Sequence, residues 1–193
     1  MKFFLQILIF ILSFQSSVKS NDIRDFQIEG ISVGDSALDF FSKKELKESP
    51  DIFDYKNKIY RYYFLYYSKS QTYDALQITV KPNDKKFIIH AIDGHISFKK
   101  NIDDCYKRKK EVKKELDIFF GFEADDDAGN HPFDNTGDSK YSRSSYTLDD
   151  GGFVEIICYD MSKEFEKNGF EDRFAVTLKT KEFLKFLTNE AYD

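Results

Sequence analysis

Alternation is the property that most restricts how this chain can fold. Along Tyr73–Val80, Leu76, Ile78 and Val80 fall on one side while Gln77 and Thr79 fall on the other, the period of a half-buried β-strand. The runs Ile59–Tyr67, Phe87–Ile92, Tyr141–Leu148, Phe153–Tyr159 and Arg173–Lys179 carry the same β-branched and aromatic bias. In the last of them Phe174, Val176 and Leu178 point inward. Lys81-Pro82-Asn83-Asp84 and Asp149-Asp150-Gly151-Gly152 supply turns between neighbours. Asp93-Gly94 reads as a break that leaves Ile96–Phe98 as a short separate piece. Together these segments predict meanders of antiparallel strands.

The period changes to a helical one in few places. From about Asp103 to Phe120, Cys105, Val112, Leu116 and Phe119 share one stripe, with Asn101 or Asp103 as a cap and Gly121 as the stop. Thr180 opens a C-terminal helix that carries Phe183, Leu184, Phe186 and Leu187. Near the start, Asp25–Val33 reads as extended, and Asp35 or Ser36 caps a short helix with Ala37, Leu38, Phe40, Phe41 and Leu46 that Pro50 ends. The order is helix, three strands, helix, three strands, helix. That predicts an α+β fold of antiparallel sheet with about three helices, divided into two α-β-β-β halves.

Met1-Lys2, the apolar stretch Phe3–Phe14, and Val18 and Ser20 at the −3 and −1 positions read as an export signal over residues 1–20. The apolar stretch is shorter than the roughly 20 residues a membrane span needs, so no span is expected after cleavage and residues 21–193 form one α+β domain. In a periplasmic or secreted setting the only two cysteines, Cys105 and Cys158, are expected to form a disulfide. The alternatives are two buried thiols, or a catalytic Cys paired with His90 or His95, although no C-x-x-C motif surrounds either. The net charge is −5, and loss of Lys2 and Lys19 with the leader leaves 27 bases against 34 acids, or −7. An acidic balance argues against a nucleic-acid partner, whose footprint is a basic surplus.

Four constellations could carry chemistry. Residues 123–140 read as an irregular loop whose stretch from Glu123 to Asp138 has six acids and no Lys or Arg, and from it Asp125, Asp127 and Asp134 are candidate cation ligands. The EF-hand template fails there, since Asn130 stands where glycine is needed. The basic run Lys107-Arg108-Lys109-Lys110, with Lys113 and Lys114, is a candidate contact for an anionic membrane or partner, or a solvated helix face. His90, His95 and His131 have no zinc-site spacing, and H-E-x-x-H, G-x-S-x-G, G-x-G-x-x-G and P-loop patterns are all missing. Tyr60, Tyr62 and Tyr66, from the cluster that includes Tyr63 and Tyr67, are candidate binding residues if their face is open, and core if it is not.

Ile28-Glu29-Gly30-Ile31-Ser32-Val33-Gly34-Asp35-Ser36, followed by Phe40, resembles the opening of small envelope proteins of the SmpA/OmlA type. It departs from that pattern in lacking the later Gly-x-Pro and the lipid-bearing Cys. Asp93-Gly94, Asn101–Cys105 and Ile157–Ser162 also look like segments of uncharacterised exported proteins from AT-rich bacterial genomes. The resemblance implies a location and a shared fold, and no activity. The expected function is an exported, soluble binding or interaction protein of the cell envelope that takes another envelope protein or a small ligand, with no cofactor. A periplasmic hydrolase-like enzyme, and an inhibitor or immunity-like protein using its acidic surface, are the alternatives.

Overall fold

A computed structural model describes residues 22–67, 70, 72–99 and 101–191, so the leader lies outside the described residues. Eight strands pair into one antiparallel sheet: β1 (Asp51–Asp54), β2 (Arg61–Tyr66), β3 (Ala75–Val80), β4 (Ile89–Ser97), β5 (Asp125–Asn130), β6 (Lys140–Thr147), β7 (Phe153–Asp160) and β8 (Arg173–Lys179). The order across the sheet is β1-β2-β3-β4-β8-β7-β6-β5. Two four-strand meanders therefore meet through their last strands. Among the described residues the α-helices are α1 (Lys43–Lys47), α2 (Ile102–Phe120), α3 (Lys163–Lys167) and α4 (Lys181–Asn189). The fold is α+β, with a larger sheet and one more helix than the alternation predicts.

The halves also differ from the expected α-β-β-β units. Each has four strands followed by a helix, β1–β4 with α2 and β5–β8 with α4. The fourth strand of each half was missed because β1 and β5 are the two edges of the sheet, and both are mostly solvent-exposed. An exposed edge strand has no buried face to impose alternation. The acidic segment is thus a strand over residues 125–130, whose carboxylates blunt an edge that could otherwise pair with another chain.

One face of the sheet is covered. Paired positions Ile78, Ile92, Leu178 and Val154 form one row across four strands, with Leu76, Gly94, Val176 and Ile156 in the next. Over the first half lies the segment 22–47, where the run expected as extended over Asp25–Val33 instead follows a 3₁₀ turn at Ile23–Asp25 and folds back through a bridge between Ile28 and Ile31, and the expected short helix is split into a second 3₁₀ turn at Ala37–Asp39, capped by Ser36, and α1. Ser42 and Glu45 close a capping box on α1. Its buried Ile23, Ile28, Ile31, Val33, Phe41 and Leu46 pack on the sheet, each burial stabilising by about 1.5–3 kcal/mol. β4 runs through Asp93-Gly94 without a break because Gly94 is where Tyr73 lies against the backbone, and a Cβ there would meet its ring carbons at 2.7 Å.

The second half is covered by α2, which packs on β7 and β8. Cys105, Val112, Leu116 and Phe120 are its buried stripe, while Phe119 packs partly buried on Phe26 at 5.5 Å between ring centroids. Gly121, at φ 73°, supplies the left-handed residue that ends the helix. The expected disulfide is present between Cys105 and Cys158, with Cα atoms 6.0 Å apart, and fastens the first turn of α2 to β7. No cysteine is left as a nucleophile.

Candidate functional site

The opposite face of the sheet is only partly roofed. At one end Thr180 caps α4, and Phe183 and Phe186 seat on Tyr55, Tyr60 and Ala91. At the other end α3 and the segment after it bring Phe165 and Phe170 together, rings 5.3 Å apart. Between these roofs the period of two along β2 sets Tyr62, Phe64 and Tyr66 on the same side. The ladder then places Gln77 beside Phe64, Asp93 beside Gln77 and Thr177 beside Asp93, with Ala75, His95 and Ala175 following Tyr66 in the next row. Ser97 and Arg173 are paired one step further along.

Most of these residues, though not Asp93, Ala175 or Thr177, line a cleft of about 790 Å³, walled by Tyr62, Phe64 and Tyr66 on one side and by Asn168–Glu171 on the other. Tyr66 is 75% exposed and Phe170 41% exposed. Gln77, His95 and Arg173 contribute polar groups to the cleft. A concave surface with aromatic walls and a few converging polar groups is the usual build of a small-ligand site.

His95 is the least conventional of these groups. It is 9% exposed, its ring lies 5.5 Å from that of Phe64, and neither Nδ1 nor Nε2 has a hydrogen-bond partner. Burial first, and the nearby Arg173 charge second, hold the imidazole down to about 3. It is therefore neutral throughout the physiological range. Arg173 stacks on Tyr159, with 4.9 Å from the guanidinium carbon to the ring centroid, and its buried Nε has no partner. The other buried unpartnered side-chain atoms among the described residues are Thr79 Oγ1 and Arg143 Nε. By register, all four of these residues belong to the same open face. Buried polar groups are nearly always satisfied, so a cluster of exceptions on one face marks that face as unusual.

Asp93 accepts from Thr177 Oγ1 at 2.6 Å and from Gln77 Nε2 at 3.4 Å, and burial raises its carboxyl to about 6. A folded-state value above the unfolded one means that the fold holds this proton where the unfolded chain has lost it. The contribution is full below about 3.8 and declines as pH rises through about 6. Asp93→Asn is expected to raise stability at pH 7 by about 1–2 kcal/mol, after allowance for solvent screening, and by nothing at pH 3.5. Urea unfolding at the two pH values checks this; equal effects at both would contradict it. Beyond Asp93 the row continues as ion pairs, Lys179 to Glu155 at 3.1 Å, Glu155 to Arg143 at 3.6 Å and Arg143 to Asp127 at 2.5 Å.

Comparison with family models, with curated proteins and with solved structures finds no match to this chain. The geometry alone therefore has to carry a functional reading.

Few of the residues proposed from sequence lie in the cleft. Tyr62 and Tyr66 line the cleft; Tyr60 does not, being 2% exposed beneath α4, where burial first and the Glu182 charge second push its hydroxyl well above the usual range. Asp125, Asp127 and Asp134 do not converge. The first two lie on β5, where Asp127 accepts from Tyr141 and Arg143, while Asp134 is buried in a turn and accepts from the backbone N–H and hydroxyl groups of both Thr136 and Ser139. Those four donors hold its carboxyl far below the usual range. Among the described residues no group of three or more His, Cys, Asp or Glu could hold a metal ion. In the basic run, Lys109 donates to Ser142 at 2.7 Å, and nearby Lys113 pairs with Asp117 at 2.9 Å. His90 faces Glu182 at 3.5 Å, and His131 packs between Phe133, Tyr159 and Phe165. Phe64, Gln77, Phe170 and Arg173 were missed. For Arg173 the signal was available: with Phe174, Val176 and Leu178 inward, Arg173, Ala175 and Thr177 must face outward.

Proposed function

We propose that the protein is an exported binding module of the bacterial envelope whose open sheet face seats a small ligand in the aromatic-walled cleft. The observation that carries this reading is Tyr66, a large ring left three-quarters exposed at the cleft beside Phe64, with ring centroids 5.7 Å apart. A folding core gains nothing from a ring in that position, whereas a ligand with an apolar face gains a platform. The state of His95 supports binding over catalysis. An imidazole held near 3 is a poor proton donor or acceptor at neutral pH, and no carboxylate is hydrogen-bonded to orient it. Export is supported by the Cys105–Cys158 disulfide and by the leader pattern. Among the described residues no helix is long and apolar enough to cross a membrane.

The test is a screen of small aromatic and saccharide fragments by ligand-observed NMR. Fragments that bind are expected to lose about tenfold or more in affinity to Tyr66→Ala, while the Tm of that variant stays within about 2 °C of the parent, as for an exposed substitution. Binding that is indifferent to Tyr66→Ala and Phe64→Ala, or turnover of a bound fragment, would defeat the proposal.

A further inference from the structure

We infer that the ligand of this cleft carries a carboxylate, received by Arg173, with its apolar part laid on Phe64 and Tyr66. The inference rests on the cleft being a binding site and adds what chemistry it selects. Three carboxylates also line the cleft, and each already holds a donor of the wall. Asp51 accepts from the Tyr62 hydroxyl at 2.9 Å, Asp74 accepts from the Ser97 backbone N–H at 2.7 Å, and Glu171 accepts from the Ser97 hydroxyl.

Arg173 is the complement of those three. Among the described residues its side chain has neither an ion-pair nor a hydrogen-bond partner, although three of the other four arginines sit against carboxylates: Arg24 on Asp22, Arg61 on Asp54 and Arg143 on Asp127. A guanidinium buried in part without an acceptor is costly, and the cost is recovered when a carboxylate arrives. Stacking on Tyr159 fixes the plane of the fork beforehand, so little side-chain freedom is lost on binding. The neighbouring His95, neutral and without a partner, brings an N–H and no competing negative charge. One cation fixed by stacking, a second and exposed one in Lys99, a neutral donor and an aromatic wall fit a single negative charge joined to an apolar group.

Such a carboxylate can belong to a small organic acid or to the C-terminus of a peptide, and two matched probe pairs separate them. The first is 3-phenylpropionate against 3-phenylpropanamide; the second is acetyl-Gly-Gly-Phe against its C-terminal amide. Each is titrated by NMR into the protein at two salt concentrations. In at least one pair the acid is expected to bind about tenfold or more tighter than the amide, and whichever acid is the tighter names the source. Arg173→Met, which keeps the stem over Tyr159, is expected to abolish the difference between acid and amide, and Tyr66→Ala to weaken both alike. Acids and amides that bind equally well to the parent would overturn the carboxylate while leaving the binding cleft standing. No response to any probe at 10 mM would overturn both.

Discussion

In the Asp93→Asn background, lowering the pH from 7 to 4 is expected to remove about 3 kcal/mol of stability through His95, and His95→Leu to abolish that loss. The folded chain keeps the imidazole neutral down to about 3, whereas the unfolded chain takes up a proton below about 6.5. A depressed value means that the unfolded state binds more protons in between. The stability is therefore fully present above about 6.5 and is lost as pH falls toward 3, at about 1.4 kcal/mol per unit. At pH 4 that amounts to about 3 kcal/mol, or a Tm lower by roughly 6–12 °C for a chain of this size. Asp93 acts with the opposite sign over the window from about 3.8 to about 6, which is why its replacement unmasks the histidine. Calorimetry of the two single variants and the double variant from pH 4 to pH 7 checks the scheme. Because burial also lowers His90 and His131, the readout is the difference between variants: a His95→Leu/Asp93→Asn protein that loses as much on acidification as Asp93→Asn alone would exclude His95 as the cause.

Replacing both cysteines by alanine is expected to lower stability by about 2–4 kcal/mol and Tm by roughly 5–15 °C. The bridge spans 53 residues, so its loss releases a long loop in the unfolded ensemble, for which chain entropy gives about 4 kcal/mol. Both residues are fully buried, so two alanines also leave space in the covered core. Scanning calorimetry with and without a phosphine reductant measures the effect on the unaltered chain. A Tm that moves by less than 2 °C under full reduction would mean that α2 is held on β7 by packing alone.

What could be read from the residues follows from what each segment buries. Leu76, Ile78 and Val80 announced β3 because one of its faces is core, and Gly121 and Thr180 marked helix ends because capping is local chemistry. β1 and β5 stayed hidden because an edge strand in solvent has no face to encode. Gly94 looked like a chain break and proved to be the point where Tyr73 approaches, a fact that belongs to residues 21 positions apart. In the cleft, Tyr62 and Tyr66 could be named from composition, and Arg173 could have been named from alternation. That Arg173 lacks an acceptor and that His95 lacks a partner both depend on β8 lying against β4, which no local pattern contains.

The sheet order has a consequence for how the chain reaches its native state. β4 acquires its second neighbour only when β8 arrives, after α2 and three further strands. During synthesis at about 5–20 residues per second, the first meander exists for several seconds with the edge of β4 open along its length. That edge is rich in isoleucine and carries few charges, so it is the surface most exposed to capture by a chaperone or by a second nascent copy. The seam at the centre of the finished sheet is, by this order, the last to close and the most dangerous to leave open.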